Sequence, residues 1–172
     1  MSPRPSATGK PLFVDHLRAI DGALGSTLPQ RAVDHLGELS RGLENAIANS
    51  GVAPDKKFPA DEVEISLAEL KSNNARLEAE FYKLLRGKRR VENEDAARTL
   101  HAIWGHSLDA VGALSGAAEE SLNPRAVADA RKAAEKLNTV AQALVDVHDA
   151  FIAGQEMTVG PRGAPSPKTQ KR

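Results

Sequence analysis

A chain of 172 residues is long enough for one cored domain, and its 23 Lys and Arg are matched by 23 Asp and Glu, so net charge draws it toward neither nucleic acid nor a membrane surface. Apolar residues make up 41% and aromatics only 3%, with no Cys. That excludes disulfides, thiolate metal sites and a cysteine nucleophile, and leaves few surfaces on which bases or sugars could stack.

Residues 1–10 carry Ser2, Pro3, Pro5, Ser6, Thr8 and Gly9 and read as a flexible tail without the apolar stretch of a signal peptide. No run of 18 apolar residues follows anywhere, so a cytoplasmic setting without membrane insertion is expected. A single helical domain is predicted over residues 11–154. Its first helix runs from Pro11 to Leu24, with Phe13, Leu17, Ile20 and Leu24 as the apolar stripe and Gly25 as the stop. A second helix starts near Pro29, buries Val33, Leu36, Leu39, Leu43 and Ile47, and ends at Ser50 and Gly51. Pro54 and Pro59 make residues 52–60 a connection.

A third, heptad-patterned helix is predicted over about residues 61–86, opened by Asp61 with Glu64 three positions on as a variant capping box. The fourth begins near Asn93 and carries Leu100, Trp104, Leu108, Val111 and Leu114. Gly105 is a candidate kink, and Gly112 with Gly116, one turn apart, suggests a close helix–helix crossing. The fifth is capped by Asn123 and Pro124 and buries Val127, Ala130, Ala134, Leu137, Ala141, Leu144, His148 and Phe151 up to a stop at Gly154. Residues 155–172 read as a flexible basic tail. With no strand-like alternation bounded by turns, the expected fold is all-α, a bundle or hairpin array of about five helices.

The most informative pattern is on the third helix. Val63, Leu67, Leu70, Asn74, Leu77, Phe81 and Leu84 follow a 3-4-3-4 spacing that keeps one face apolar except at Asn74. An amide on such a seam weakens it while fixing register and partner number. These seven residues are therefore the expected interaction face, for self-association as a homo-oligomer or for a helical protein partner. Bundles use the same spacing inside one chain, so the pattern alone does not separate the two. On the intermolecular reading, Asn74→Leu would raise stability and blur the oligomeric state.

Other motifs carry less. His16, His35 and His148 each adjoin an Asp, but adjacent helical residues point about 100° apart and do not readily share a metal. His101 and His106 are five apart, off the three-or-four spacing of helical metal sites. Nucleophile elbows, phosphate-cradling glycine loops and dinucleotide fingerprints are missing. The expectation is a non-catalytic protein with no cofactor and no metal. Arg86, Lys88, Arg89 and Arg90 form the strongest local charge and are possible phosphate contacts, assisted by Lys168, Lys171 and Arg172. Their ordinary explanation is that cations complement the end of one helix dipole, as Glu92, Glu94 and Asp95 do the start of the next. The segment Val14-Asp15-His16-Leu17 recurs as Val33-Asp34-His35-Leu36, which helical spacing produces without duplication.

Two short resemblances accompany these patterns. Ala23-Leu24-Gly25, Lys57-Phe58-Pro59, Leu84-Leu85 and Arg90-Val91-Glu92-Asn93 together resemble the coat proteins of rod-shaped plant viruses. That resemblance implies a helical bundle with RNA bound between subunits near Arg89 and Arg90. The chain departs from that family in its low aromatic content. Met157-Thr158-Val159-Gly160 is similar to the tail that loads cargo into encapsulin shells, with Pro161 as a departure. The sequence thus points to a helical assembly or adaptor protein, with a nucleic-acid-coating or accessory subunit as the alternative.

Overall fold

A computed structural model describes residues 28–86 and 93–159. Among them are four helices, α1 (Leu28–Asn49), α2 (Leu67–Arg86), α3 (Asn93–Glu120) and α4 (Pro124–Val159). Two three-residue strands, β1 (Lys57–Pro59) and β2 (Glu64–Ser66), sit between α1 and α2. The helix expected over residues 11–24, the basic turn beyond Arg86 and the first copy of the His16 echo lie outside the described residues.

α1 runs antiparallel to both α2 and α4. Glu44 of α1 pairs with Lys71 of α2 at 3.6 Å, and Leu36 of α1 meets Asn74. Gly42 and Glu38 of α1 meet Ala130 and Lys136 of α4. A three-residue turn joins α3 to α4 and is locked onto the end of α1. The Ser50 carbonyl accepts hydrogen bonds from Leu122 N (2.9 Å), Asn123 N (3.3 Å) and Ser121 Oγ (2.8 Å). Gly51, at φ 83°, supplies the left-handed residue that ends α1.

The interior is built in two styles. Ala110, Ala113 and Ala117 of α3 and Ala130, Ala134 and Ala141 of α4 are fully or almost fully buried, and α4 shares its most extensive interfaces with α3 and α1. Small side chains bring these axes close. α2 instead inserts large ones, Leu67, Leu70, Leu77 and Phe81, across smaller interfaces with α1 and α3. Fully burying each such side chain stabilises by about 1.5–3 kcal/mol.

Several expectations are corrected. The all-α reading missed a β-hairpin, in which Lys57, Phe58 and Pro59 pair with Ser66, Ile65 and Glu64. Its alternation is only three residues long, and Pro59 is tolerated because a two-stranded sheet consists of edges. Phe58 and Ile65 turn inward. The heptad helix opens at Leu67 rather than Asp61, because Ser66 and Glu69 form the capping box. Glu69 N donates to Ser66 Oγ at 3.1 Å and Ser66 N to Glu69 Oε1 at 3.4 Å. The last described helix passes Gly154 and runs through Val159. α3 is continuous through Gly105, and its buried stripe is Leu100, Ile103, Ser107, Ala110 and Leu114. Trp104 and Val111 are only half-buried. Gly112 and Gly116 admit the hairpin rather than a helix, since a Cβ on them would lie 3.1 Å from Ala60 Cα and 3.3 Å from Phe58.

Ser66 is the cap on which the start of α2 depends. Ser66→Ala is expected to lower unfolding stability by about 1 kcal/mol, read from the midpoint of a urea titration.

Candidate functional site

The seam predicted as an interaction face lies inside the single chain. Leu67, Leu70, Asn74, Leu77, Phe81 and Leu84 are all buried against the rest of the bundle. Val63 does not belong with them: it lies in the hairpin turn, which Ala60 N closes onto its carbonyl at 2.8 Å, and is 51% exposed. The helix starts at Leu67, six residues later than the predicted start at residue 61, so the seam loses its first member.

Asn74 has 0% exposure and spends its amide on two neighbouring helices. Nδ2 donates to the Leu36 carbonyl of α1 at 2.9 Å, and Oδ1 faces His106 Nε2 of α3 at 3.2 Å. With the amide nitrogen committed to a carbonyl, the oxygen must accept, so His106 carries its proton on Nε2. Burial first, and the positive charge of Arg76 second, together hold His106 down from 6.5 to about 4. The imidazole is neutral at pH 7 and serves as a donor joining α3 to α2.

The stability consequence has a definite sign. The unfolded chain takes up the His106 proton near pH 6.5 while the folded chain resists it until about pH 4. Stability from this group is therefore present above pH 6.5 and is lost as pH falls toward 4. Between pH 7 and pH 5 a loss of about 2 kcal/mol is expected, measured as the shift in urea midpoint and absent from His106→Gln.

A second polar cluster joins buried Ser107 to half-buried Asn138. Ser107 of α3 shares its one hydroxyl proton between the Trp104 carbonyl at 2.7 Å and, more distantly, Asn138 Oδ1 of α4 at 3.1 Å. Beside it a groove of about 500 Å³ runs between α3, α4 and the hairpin, with Leu108 and Val111 on one wall and Asp61, Glu135 and Asn138 on others. Asp109 sits nearby with its carboxyl held above the usual range, by desolvation first and then by the charges of Asp61 and Glu62, partly offset by a backbone hydrogen bond from Asp61. Two carboxylates line the groove, Asp61 and Glu135, the latter paired with Arg131 at 3.6 Å.

The described histidines do not converge. His35 pairs with Glu38 on α1 at 3.2 Å, His101 stands edge-on to Trp104, and His148 is buried beside Asp149 at 3.9 Å. Among the described residues no group of three His, Asp or Glu could hold a metal. Arg86 ends α2, while Lys88, Arg89 and Arg90 lie outside the described residues. No described helix is long and apolar enough to cross a membrane.

Sequence reasoning found Asn74 and missed its partners. In the sequence His106 stands five residues from His101, off the spacing of a helical metal site, and nothing local links it to Asn74. Ser107 held the better signal, since it stands in the 3-4-3-4 stripe of Leu100, Ile103, Ala110 and Leu114 as Asn74 does in its own. Comparison with protein-family models, curated proteins and solved structures finds no match for this chain. The coat-protein and cargo-tail resemblances therefore rest on the residues quoted for them.

Proposed function

We propose that the protein is a non-catalytic helical adaptor acting through protein–protein contact, with itself or with a helical partner. The observation that carries this reading is where the buried polar groups spend their hydrogen bonds. Asn74, His106, Ser107 and Ser50 each tie one helix to another helix or to its turn. They fix the register of a scaffold instead of aiming at a cavity, the best-attested use of buried polar groups in helical assemblies. Because α2 turns its apolar face inward, the contact surface belongs to the outside of the bundle or to the flanking sequences. Leu122, 87% exposed at the α3–α4 turn, is one such position.

A nucleic-acid-coating role through Arg86, Lys88, Arg89 and Arg90 is the second reading, favoured by how charge divides along the chain. Of the 23 Lys and Arg, 13 fall in residues 28–86 and 93–159 and 10 fall outside; of the 23 Asp and Glu, 20 fall inside and 3 outside. The neutral total thus conceals an acidic helical body and basic flanking segments, the distribution a phosphate-binding arm would have.

Light scattering after size exclusion, on untagged protein prepared without nuclease and with absorbance at 260 and 280 nm, separates the readings. An adaptor elutes free of nucleic acid, as an 18.3 kDa monomer or a discrete oligomer. Co-eluting nucleic acid that is lost on raising the salt would replace the first reading with the second.

A further inference from the structure

We propose that α2 is the wall of the bundle that opens most readily, latched by the Leu36–Asn74–His106 clasp beside its apolar face and opening more often when that clasp is broken, as acid breaks it. The inference goes beyond the adaptor reading and stands on two observations of packing. First, α1, α3 and α4 form a tight three-helix unit. Gly42 of α1 lies so near α4 that a Cβ on it would come within 3.0 Å of Ala130 Cα, and alanines line the α3 and α4 interiors. α2 makes fewer close backbone approaches to α1 and α3 than α4 does. Second, the fully buried centre of α2 is a polar side chain bonded to both neighbours. Its other ties include buried Leu67, Leu70, Leu77 and Phe81, the Ala68 N–Pro54 carbonyl hydrogen bond at 3.1 Å, and two exposed ion pairs, Lys71 to Glu44 and Lys57 to Glu69, the last of which contribute little.

Around the clasp, α1 presents the neutral Leu36 carbonyl, and α2 presents Arg76, paired with Glu80 at 3.4 Å, whose charge already opposes a proton on His106. A protonated ring between them carries a buried positive charge beside a neutral amide and the like charge of Arg76, so opening α2 relieves it. Two other acid-sensitive groups bear on the same region. Glu69, held below its usual range by Lys57 and the Ser66 backbone, loosens the start of α2 when protonated. Asp109, held above its range against Asp61 and Glu62, acts the other way and favours the closed hairpin in acid. Release of α2 would bare Leu67, Leu70, Leu77 and Phe81 on one helical face and leave the three-helix unit standing.

Hydrogen exchange by mass spectrometry on the full chain, corrected for intrinsic rates at pH 7 and about pH 4.5, tests this. In the released state His106 titrates near 6.5 and in the closed state near 4, so opening of residues 67–86 is expected to rise by about fiftyfold. Residues 124–145 should change by less than about twofold. His106→Gln keeps a donor toward Asn74 but does not titrate, and should remove most of the acceleration while leaving any Glu69 contribution. The proposal fails if residues 67–86 and 124–145 accelerate together, if 67–86 keeps its neutral-pH protection, or if His106→Gln retains the full α2-selective response. Should that variant not fold, the order of α2 against α4 in the unsubstituted protein decides alone.

Discussion

Gly42→Val is expected to cost about 3 kcal/mol of unfolding stability, while an alanine five residues earlier on the same helix should add to it. The two glycines face different things. A Cβ at Gly42 would meet Ala130 Cα at 3.0 Å, its Cβ at 3.2 Å and its backbone nitrogen at 3.7 Å. Backbone cannot rotate out of the way, so valine must push α1 off α4 along an interface where Leu39, Leu43, Val127 and Leu137 are buried. A Cβ at Gly37 would touch only the ends of Glu78 and Arg41, at 3.6 and 3.7 Å. Gly37→Ala should therefore stabilise by about 0.5–1 kcal/mol, the difference in helix propensity. Paired urea titrations of the two variants measure both signs. If Gly42→Val is neutral, α1 and α4 are not in the close register that separates the three-helix unit from α2.

How far the sequence reveals this architecture depends on whether a residue's signal is local. The start of α4 is legible because Asn123 and Pro124 are adjacent cap and first-turn residues, and the stripe Val127, Ala130, Ala134, Leu137, Ala141, Leu144 and His148 is buried as its spacing implies. The end of α1 is legible because only a residue such as Gly51 takes φ 83° without strain. The hairpin is not, because three-residue strands give too short an alternation to distinguish from a loop, and the nearby Asp61–Glu64 pair imitates the capping box that Ser66 and Glu69 form. Gly112 and Gly116 announce a close approach but not what approaches, since nothing at those positions encodes Ala60 and Phe58. The polar clasp is half legible. Asn74 interrupts its own stripe and stands out, whereas Leu36 contributes a carbonyl that any residue has, and His106 reaches Asn74 from 32 positions away. Periodicity gives the face a residue occupies and is silent on whether the covering surface comes from the same chain.

That silence decides the sign of the second large effect, at Asn74 itself. If the seam lay between chains, Asn74→Leu would remove a polar group from an apolar interface and raise stability. Inside this bundle it removes the acceptor for His106 Nε2 and one donor to the Leu36 carbonyl, both buried. The carbonyl keeps its helical partner, but the imidazole donor is left unmade in the core, a loss of about 1–3 kcal/mol by itself. Leucine has the heavy-atom count of Asn but is bulkier, which adds an overpacking cost, and brings a gain in helix propensity of only a few tenths. The net expectation is destabilisation by about 2–3 kcal/mol, opposite to the seam-between-chains prediction. Replacing both partners tests the reason as well as the sign. Asn74→Leu with His106→Leu leaves no unpaired donor, and should return to within about 1 kcal/mol of the parent. The four urea titrations of that double-mutant cycle give the coupling between the two side chains directly. A strongly favourable coupling in the parent, with the double variant losing the pH dependence below pH 6.5, assigns Asn74 to the interior of one chain. Stabilisation by Asn74→Leu alone, with a change in molar mass, would return the seam to the space between chains.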